Sequence, residues 1–187
     1  MNEKKFLEFT KIVGKLKRIQ REGFKMYKIK DSESVADHSF RTTILGMLLA
    51  DIENLNTEKI MRMLLLHDIQ ESLTGDIPSI YKEKMPEKSK EIETDAIKKT
   101  LSVLPENLKE KYLSLWKEME DEKTLEAKFC NDMDKLERML QVLEYEKEQP
   151  EKRKDLEIFW SREDLNKPKN FPFLIKIYEE LRKEREL

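Results

Sequence analysis

The residues best suited to chemistry are the chain's two histidines, each of which stands beside an aspartate. His38 follows Asp37, and His67 precedes Asp68. A third acidic stretch, residues 131–137, lies further along the chain. Imidazole is the commonest neutral metal ligand. A donor set of imidazole nitrogen and carboxylate oxygen suits a divalent transition metal better than the all-oxygen cages that hold calcium. These residues therefore predict a metal centre.

The helical periodicity around His67 places this histidine on the same face as Ile60 and Leu64, so we expect it to point into the core. Asp68 projects about 100° away and can reach the same ion from the side. Glu71 follows His67 by one turn and shares its face. Buried carboxylates are costly unless a cation compensates their charge. The doublet is therefore interpreted as a pair of metal ligands.

The acidic stretch offers two candidate ligands, and periodicity leaves both open. Phe129, Met133 and Leu136 define an apolar face that is closer to Asp132. A second sector of low polarity lies near Asp134. A helix buried on two sides can present either carboxylate.

Composition excludes several classes of function. The 37 basic and 39 acidic residues nearly balance, which argues against a nucleic-acid polymer or a membrane surface as partner. No apolar run approaches the roughly 18 residues of a membrane span, and the amino terminus carries no apolar signal core. We expect a cytoplasmic protein. Cys130 is the single cysteine, so no intramolecular disulfide can form, and we interpret it as a buried structural thiol.

The sparse turn residues, 4 glycines and 6 prolines, predict an all-α fold. We expect a single domain over residues 1–187, with a core of about 6–147 and a helical C-terminal extension of about 150–187. The predicted helices are about 3–19, 35–52 with Ser34 and Asp37 as a capping box, 57–72 capped by Thr57, 86–102, 105–120, 125–147 capped by Thr124, and 172 to the end. The second of these is expected to pack through Phe40, Ile44, Met47 and Leu48.

Three strings resemble the HD-domain metal-dependent phosphohydrolases, and within them the 5′-deoxynucleotidase branch. They run from Glu33 to Arg41 (Glu-Ser-Val-Ala-Asp-His-Ser-Phe-Arg), from Leu66 to Ile77, and from Asp134 to Glu137 (Asp-Lys-Leu-Glu). The bare His-Asp doublet is a weak signal, but its combination with the upstream histidine, the Glu71-to-Asp76 spacing and the late Asp-Lys-Leu-Glu is specific.

The resemblance implies a compact HD-domain helical bundle with a metal site in its core. It implies four metal ligands, His38, His67, Asp68 and Asp134, and catalytic carboxylates at Glu71 and Asp76. It also implies an arginine and an aromatic residue that hold phosphate and deoxyribose. Phe24 matches the aromatic position, where the family usually has tryptophan, and either Arg21 or Arg18 matches the arginine.

The activity that the resemblance implies is hydrolysis of deoxyribonucleoside 5′-monophosphates by a homodimer with one divalent ion per site. Mn or Co is favoured, and Fe, Ni or Zn is compatible with the ligands. One alternative is an HD phosphohydrolase acting on a triphosphate, a cyclic nucleotide or an alarmone. Another is a helical interaction module without catalysis. The tail aromatics Phe159, Trp160, Phe171 and Phe173 are compatible with a dimer contact or with covering the core.

Overall fold

The computed structural model describes residues 1–187 and confirms the all-α prediction. The helices are α1 (Glu3–Gly14), α2 (Glu22–Lys25), α3 (Val35–Ile52), α4 (Thr57–Leu66), α5 (Glu71–Thr74), α6 (Ser79–Lys84), α7 (Pro86–Leu101), α8 (Glu106–Asp121), α9 (Leu125–Glu148), α10 (Arg153–Ser161), α11 (Glu163–Asn166) and α12 (Pro172–Glu186). Lys15–Arg18 and Pro150–Lys152 form 3₁₀ turns. No helix combines the length and apolar content needed to cross a bilayer.

Two of the three predicted helix caps are confirmed. Ser34 and Asp37 form the expected capping box at the start of α3, and the Thr124 side chain accepts a hydrogen bond from the backbone N–H of Ala127 at the start of α9. The assignment of Thr57 as a cap is wrong. Asn56 caps α4 instead by accepting from the backbone N–H of Lys59, because its short amide oxygen reaches the orphan donors of the first turn.

The long helix α9 is the centre of the bundle and carries many of the buried side chains, among them Phe129 and Leu136. Helices α3, α4, α8, α10 and α12 all pack against it. Trp160 on α10 and Tyr178 on α12 belong to the same continuous core. The tail aromatics therefore cover the core: Trp160 and Phe171 are buried, and Phe159 and Phe173 are partly buried against it.

The predicted packing face of α3 is wrong. Phe40 is 67% exposed, Ile44 44% and Leu48 54%, and Met47 is only partly buried. Apart from Val35 in the first turn, the buried face consists of small or polar residues: His38, Thr42, Thr43, Gly46 and Ala50. Because α4 lies close against α3, only small residues fit between them, and a Cβ on Gly46 would overlap Leu64 Cδ1. The close packing of α3 against α4, rather than the hydrophobicity of the side chains, therefore determines which face of α3 is buried.

Two predicted helices end earlier than expected. The first ends at Gly14 and continues as the 3₁₀ turn, and α4 ends at Leu66 where the pattern predicted Ser72. The His67 ring nitrogen Nδ1 hydrogen-bonds to the Leu64 carbonyl at 2.7 Å, and the Trp116 indole donates to the His67 carbonyl at 3.3 Å. These side chains engage carbonyls at the end of the helix. The turn at residues 67–70 redirects the chain before α5.

Candidate metal centre and substrate cleft

The four residues expected as metal ligands lie together between α3, the turn after α4, and α9. The His38 and His67 Nε2 atoms lie 3.3 Å apart, and His38 Nε2 is 3.0 Å from Asp134 Oδ1. Asp68 Oδ2 lies 3.1 Å from His67 Nε2 and 3.8 Å from His38 Nε2. Donor atoms that share an ion at about 2.1 Å lie roughly 3.0–3.4 Å apart. Three of these four distances lie in that range, so His38, His67 and Asp134 can share one small divalent cation, and Asp68 lies beside them at a slightly longer distance from His38.

The ring nitrogens that face away from this centre have fixed partners. His67 Nδ1 meets the Leu64 carbonyl, as described, so Nε2 is left for the centre. His38 Nδ1 meets Glu137 Oε2, and the other oxygen of that carboxylate, Oε1, accepts from Arg41 Nε at 2.8 Å. Such partners fix the tautomer and orientation of metal-binding histidines. Both rings are thus set to present Nε2 to a cation.

The electrostatics of the centre favour a cation. Burial and Arg21 lower the pKa of His38, but Glu137 and Asp134 outweigh them and raise it to about 9. Burial would raise the pKa of Asp68, yet His67, Arg21 and His38 hold it well below its usual range. A carboxylate that stays ionised beside a histidine with high proton affinity marks a strongly negative potential. A divalent ion would satisfy that potential better than protons.

Asp132 and Asp134 have different environments. Asp134 faces His38, whereas Asp132 is fully buried and accepts hydrogen bonds from the backbone N–H groups of Lys169, Asn170 and Phe171. Of the two carboxylates that periodicity left open, Asp134 is therefore the one that faces the histidines, and Asp132 is not. It anchors the segment that leads into α12.

Glu71 lies beside the centre at the start of α5. Its side chain is buried, and Oε2 has no hydrogen-bond partner in the protein. Burial and the neighbouring Asp68 and Asp76 raise the pKa of Glu71 well above its usual value. A buried carboxylate oxygen without a partner is costly, so this atom is suited to receive a proton or a water molecule in the cleft.

Asp76 follows the turn at Gly75, whose φ of 74° lies in the region that glycine adopts without strain. Asp76 Oδ2 accepts from the backbone N–H of Glu22 at 2.6 Å, and Oδ1 lies 3.9 Å from Arg21 Nη1. The turn thus brings Asp76 to the same cleft as Asp68 and Glu71.

Arg21 enters the cleft and Arg18 does not. Arg21 Nη1 lies 3.1 Å from Asp68 Oδ2, whereas the Arg18 side chain is exposed and does not line the cleft. Of the two arginines that the sequence left open, Arg21 is the one beside the metal centre. Its guanidinium fork suits bidentate recognition of a phosphate.

The cleft is lined by both charged and apolar side chains and encloses about 990 Å³, including its open mouth. Its polar lining includes Arg21, Asp68, Glu71, Asp76 and Asp134. Its apolar wall includes Met26, Tyr27, Phe24, Ile158, Phe159 and Leu165. Phe24 is only 2% exposed, and its ring centroid lies 5.4 Å from that of Phe159. Phe24 therefore forms the back of the apolar wall.

Sequence reasoning missed several residues at this site. Glu137 ends the Asp-Lys-Leu-Glu string that begins at Asp134, but the sequence did not suggest a role for it. The spacing of three residues places both carboxylates near one helix face. Arg138 and Asn166 also line the cleft, and Lys82 reaches it from α6, where it pairs with Glu93 at 2.6 Å. No spacing in the sequence links α6 or α11 to the histidines, so only the fold identifies these residues.

Comparisons with known proteins agree with this geometry. The family model described as HD domain matches residues 13–172. The chain is 40% identical to the 5′-deoxynucleotidase HDDC2 of Xenopus laevis over 76% of this chain and 70% of that protein. It is 36% identical to the human protein of the same name, over 75% of this chain and 68% of that protein.

Solved structures are similar over nearly the whole chain. A conserved hypothetical protein from Pyrococcus furiosus has a TM-score of 0.78 at 32% identity and covers 95% of this chain and 99% of that one. A protein from Magnetospirillum magnetotacticum, described as a predicted metal-dependent phosphohydrolase, has a TM-score of 0.71 at 26% identity and covers 97% and 94%. The C-terminal helices α10–α12 are thus included in the shared fold.

Proposed function

The chain belongs to the HD-domain family, and we propose that it hydrolyses deoxyribonucleoside 5′-monophosphates to deoxynucleoside and phosphate. One observation carries this proposal. The ligand candidates Asp68 and Asp134, the carboxylates Glu71 and Asp76, and a set of apolar and aromatic side chains all line one cleft, so the cleft matches a molecule that carries both a phosphate and a nucleoside. The relatives named 5′-deoxynucleotidase support the same activity.

In this proposal His38, His67, Asp68 and Asp134 hold one divalent cation, with Mn or Co favoured and Fe, Ni or Zn compatible. Bound there, the ion would activate water as a Lewis acid and neutralise charge on the phosphate. Glu137 and the Leu64 carbonyl keep the two imidazole rings oriented toward it. The elements α3 and α9 and the turn after α4 thus supply the donors from separate parts of the chain.

The remaining cleft residues handle substrate and protons. Arg21 grips the phosphate through its fork. Glu71 accepts the proton of the attacking water through Oε2, the atom without a protein partner. Asp76 protonates the departing 5′-oxygen or orients the water. A phosphate monoester requires in-line attack and charge neutralisation more than covalent catalysis, and these residues provide both.

Phe24 and Phe159 form the wall that receives the sugar and the base. A 2′-hydroxyl against this wall would lose water without gaining a partner, at about 1–3 kcal/mol. This penalty is the proposed source of preference for deoxyribose. Phe24 is packed behind Phe159 and against Tyr145, at centroid distances of 5.4 and 5.0 Å, so the wall is rigid.

We propose a cytoplasmic homodimer that contacts its second copy through the exposed face of α3. Phe40, Ile44, Leu48 and Ile52 recur every four residues and are 44–67% exposed. A continuous apolar stripe of this kind is unusual on a monomer surface. Light scattering of the wild-type protein and of Phe40→Asp tests the dimer: the variant should be monomeric, and a monomeric wild type contradicts it.

The activity is tested with purified protein loaded with Mn²⁺ and a panel of deoxyribo- and ribonucleoside monophosphates, triphosphates, cyclic nucleotides and an alarmone. The expected result is phosphate release from the deoxyribonucleoside monophosphates with kcat/KM well above that for every other class. Preferential turnover of a triphosphate, a cyclic nucleotide or the alarmone would contradict this proposal and favour an HD phosphohydrolase that acts on that nucleotide. Equal turnover of ribo- and deoxyribonucleotides would show that the apolar wall does not select deoxyribose.

A further inference from the structure

Asp134 has a second partner besides His38. While Oδ1 faces His38 Nε2 at 3.0 Å, Oδ2 accepts a hydrogen bond from Arg138 Nη2 at 2.6 Å. The two residues stand one turn apart on α9, and their side chains are only 20% and 16% exposed. An aspartate with one oxygen held in this way cannot rotate its other oxygen away from the histidine.

Arg138 is itself held by the C-terminal segment. Its Nη1 donates to Asn166 Oδ1 at 3.0 Å, and Asn166 Nδ2 donates to the Phe159 carbonyl at 2.8 Å. Asn166 is only 4% exposed. Reversing its amide would lose both hydrogen bonds, so the orientation of Asn166 is fixed. The chain of contacts runs from the end of α10, through α11, to the carboxylate at the metal centre.

An exposed ion pair one turn apart on a helix would carry little weight, because such pairs contribute only about 0.3–0.5 kcal/mol. The pair here differs in two respects. It is mostly buried, and its arginine is fixed by a buried amide that forms no part of α9. These features indicate that the guanidinium has a set position, which is what a carboxylate ligand needs from its supporting partner.

We propose that Arg138 and Asn166 are positioning residues that orient Asp134 for metal binding, so that the C-terminal segment helps to set the affinity of the site. This inference rests on the metal site of the proposed function. It assigns a role to α10 and α11 beyond covering the core: they fix the fourth ligand from the side opposite His38.

The test measures Mn²⁺ binding to metal-free protein by calorimetry. Asn166→Ala and Arg138→Gln should weaken binding about 10- to 100-fold, the usual effect of removing a ligand's hydrogen-bond partner. Asn166→Asp keeps an acceptor for Arg138 but loses the hydrogen bond to the Phe159 carbonyl, so its affinity should lie between that of Asn166→Ala and that of wild type. Loss of affinity in Asn166→Asp as large as in Asn166→Ala would overturn the proposal, since the acceptor would then be irrelevant.

Asn131 provides the matched control. It lies on the same helix, and its amide donates to the carbonyls of Met119 and Ala127 at 3.0 and 3.1 Å. Asn131→Ala removes a comparable pair of hydrogen bonds and should leave Mn²⁺ affinity unchanged. If Asn131→Ala weakens Mn²⁺ binding as much as Asn166→Ala does, a general loss of packing explains both effects, and the positioning role of Arg138 and Asn166 is wrong.

Two further outcomes separate this inference from the function on which it rests. If Arg138→Gln binds Mn²⁺ like wild type but raises KM for nucleotide, Arg138 contacts phosphate and the positioning role is wrong. If wild-type protein itself binds no Mn²⁺, the metal site and the inference fail together. If wild type binds Mn²⁺ and the Arg138 and Asn166 variants bind it equally well, the positioning role is wrong but the metal site stands.

Discussion

Asp132 and Asp134 stand two positions apart on α9 and face opposite sides of that helix. Asp134 Oδ1 lies 3.0 Å from His38 Nε2, while Asp132 Oδ2 accepts from the backbone N–H of Asn170 at 2.6 Å. Two residues on an α-helix are about 200° apart, so one helix serves the metal centre with one carboxylate and the C-terminal segment with the other.

This division predicts different defects for two matched variants. Asp134→Asn should lose most of its metal affinity, because a charged donor is removed, and should unfold near the wild-type denaturant concentration. Asp132→Asn should keep metal affinity but lose about 1–3 kcal/mol of stability, since a buried acceptor for several donors is weakened. Metal titration and urea unfolding of both proteins measure the two effects. If only Asp132→Asn lost metal affinity, the ligand would be Asp132, and its assignment to Asp134 would be wrong.

Glu71 should separate metal binding from turnover. Glu71→Gln keeps the volume of the side chain but cannot accept the proton of the attacking water, so kcat should fall by about 100-fold or more. Metal content should stay at the wild-type level. Elemental analysis and phosphate release on the same sample provide both values. Wild-type turnover in this variant would remove Glu71 from the mechanism.

Phe24 should control the choice between ribose and deoxyribose. Because Phe24 is almost fully buried, Phe24→Ala would open a cavity costing about 3–5 kcal/mol, so Phe24→Leu is the better probe. The ratio of ribo- to deoxyribonucleotide kcat/KM should rise, within the roughly 5- to 150-fold range that 1–3 kcal/mol allows.

The control for this experiment is Arg21→Ala, which should weaken both substrate classes alike because phosphate is common to them. Metal content should be unchanged in Phe24→Leu. An unaltered ratio in Phe24→Leu would show that the wall does not read the sugar.

Gly46 should be required for the close approach of α3 and α4. Gly46→Ala gains about 1 kcal/mol of helix propensity, but its Cβ would overlap the Cδ1 atom of Leu64, a fully buried side chain. Overpacking of this kind costs about 1–3 kcal/mol, so the variant should be less stable.

A double-mutant cycle isolates this contact. In a Leu64→Ala background the overlap disappears, and Gly46→Ala should then raise the urea midpoint by its helix propensity. Destabilisation of equal size in both backgrounds would show that the strain does not come from Leu64.

The sequence predicted the all-α fold and the longer helices, and the structure brings the expected ligand residues close together. The errors have physical causes. Caps at Ser34 and Thr124 act locally and could be predicted. The exposed stripe on α3 could not, because Phe40 and Leu48 have core-like side chains and only the nearness of α4 shows that small residues are buried. Periodicity also could not separate Asp132 from Asp134, since both are drawn inward by different partners.

The supporting residues were beyond the reach of pattern analysis for a different reason. Asn166 lies 28 residues from Arg138 and in another helix, and nothing in its surroundings marks it as polar support for the site. Glu71 was placed by a helical i+4 argument, yet the helix ends at Leu66 and a turn delivers Glu71 to the cleft instead. Glu71 does lie in the cleft beside Asp68, as expected, but the helical geometry used to predict this is wrong.

The most direct test of the central claim is phosphate release from a deoxyribonucleoside monophosphate while metal-free protein is titrated with Mn²⁺. The four ligands describe a single site, so activity should be absent at the start, rise linearly with added ion and level off at about one equivalent per chain. The Asp68→Ala protein, which lacks a charged ligand, should show no rise at that stoichiometry. Full activity in the metal-free wild type, or an undiminished titration with Asp68→Ala, would contradict the account.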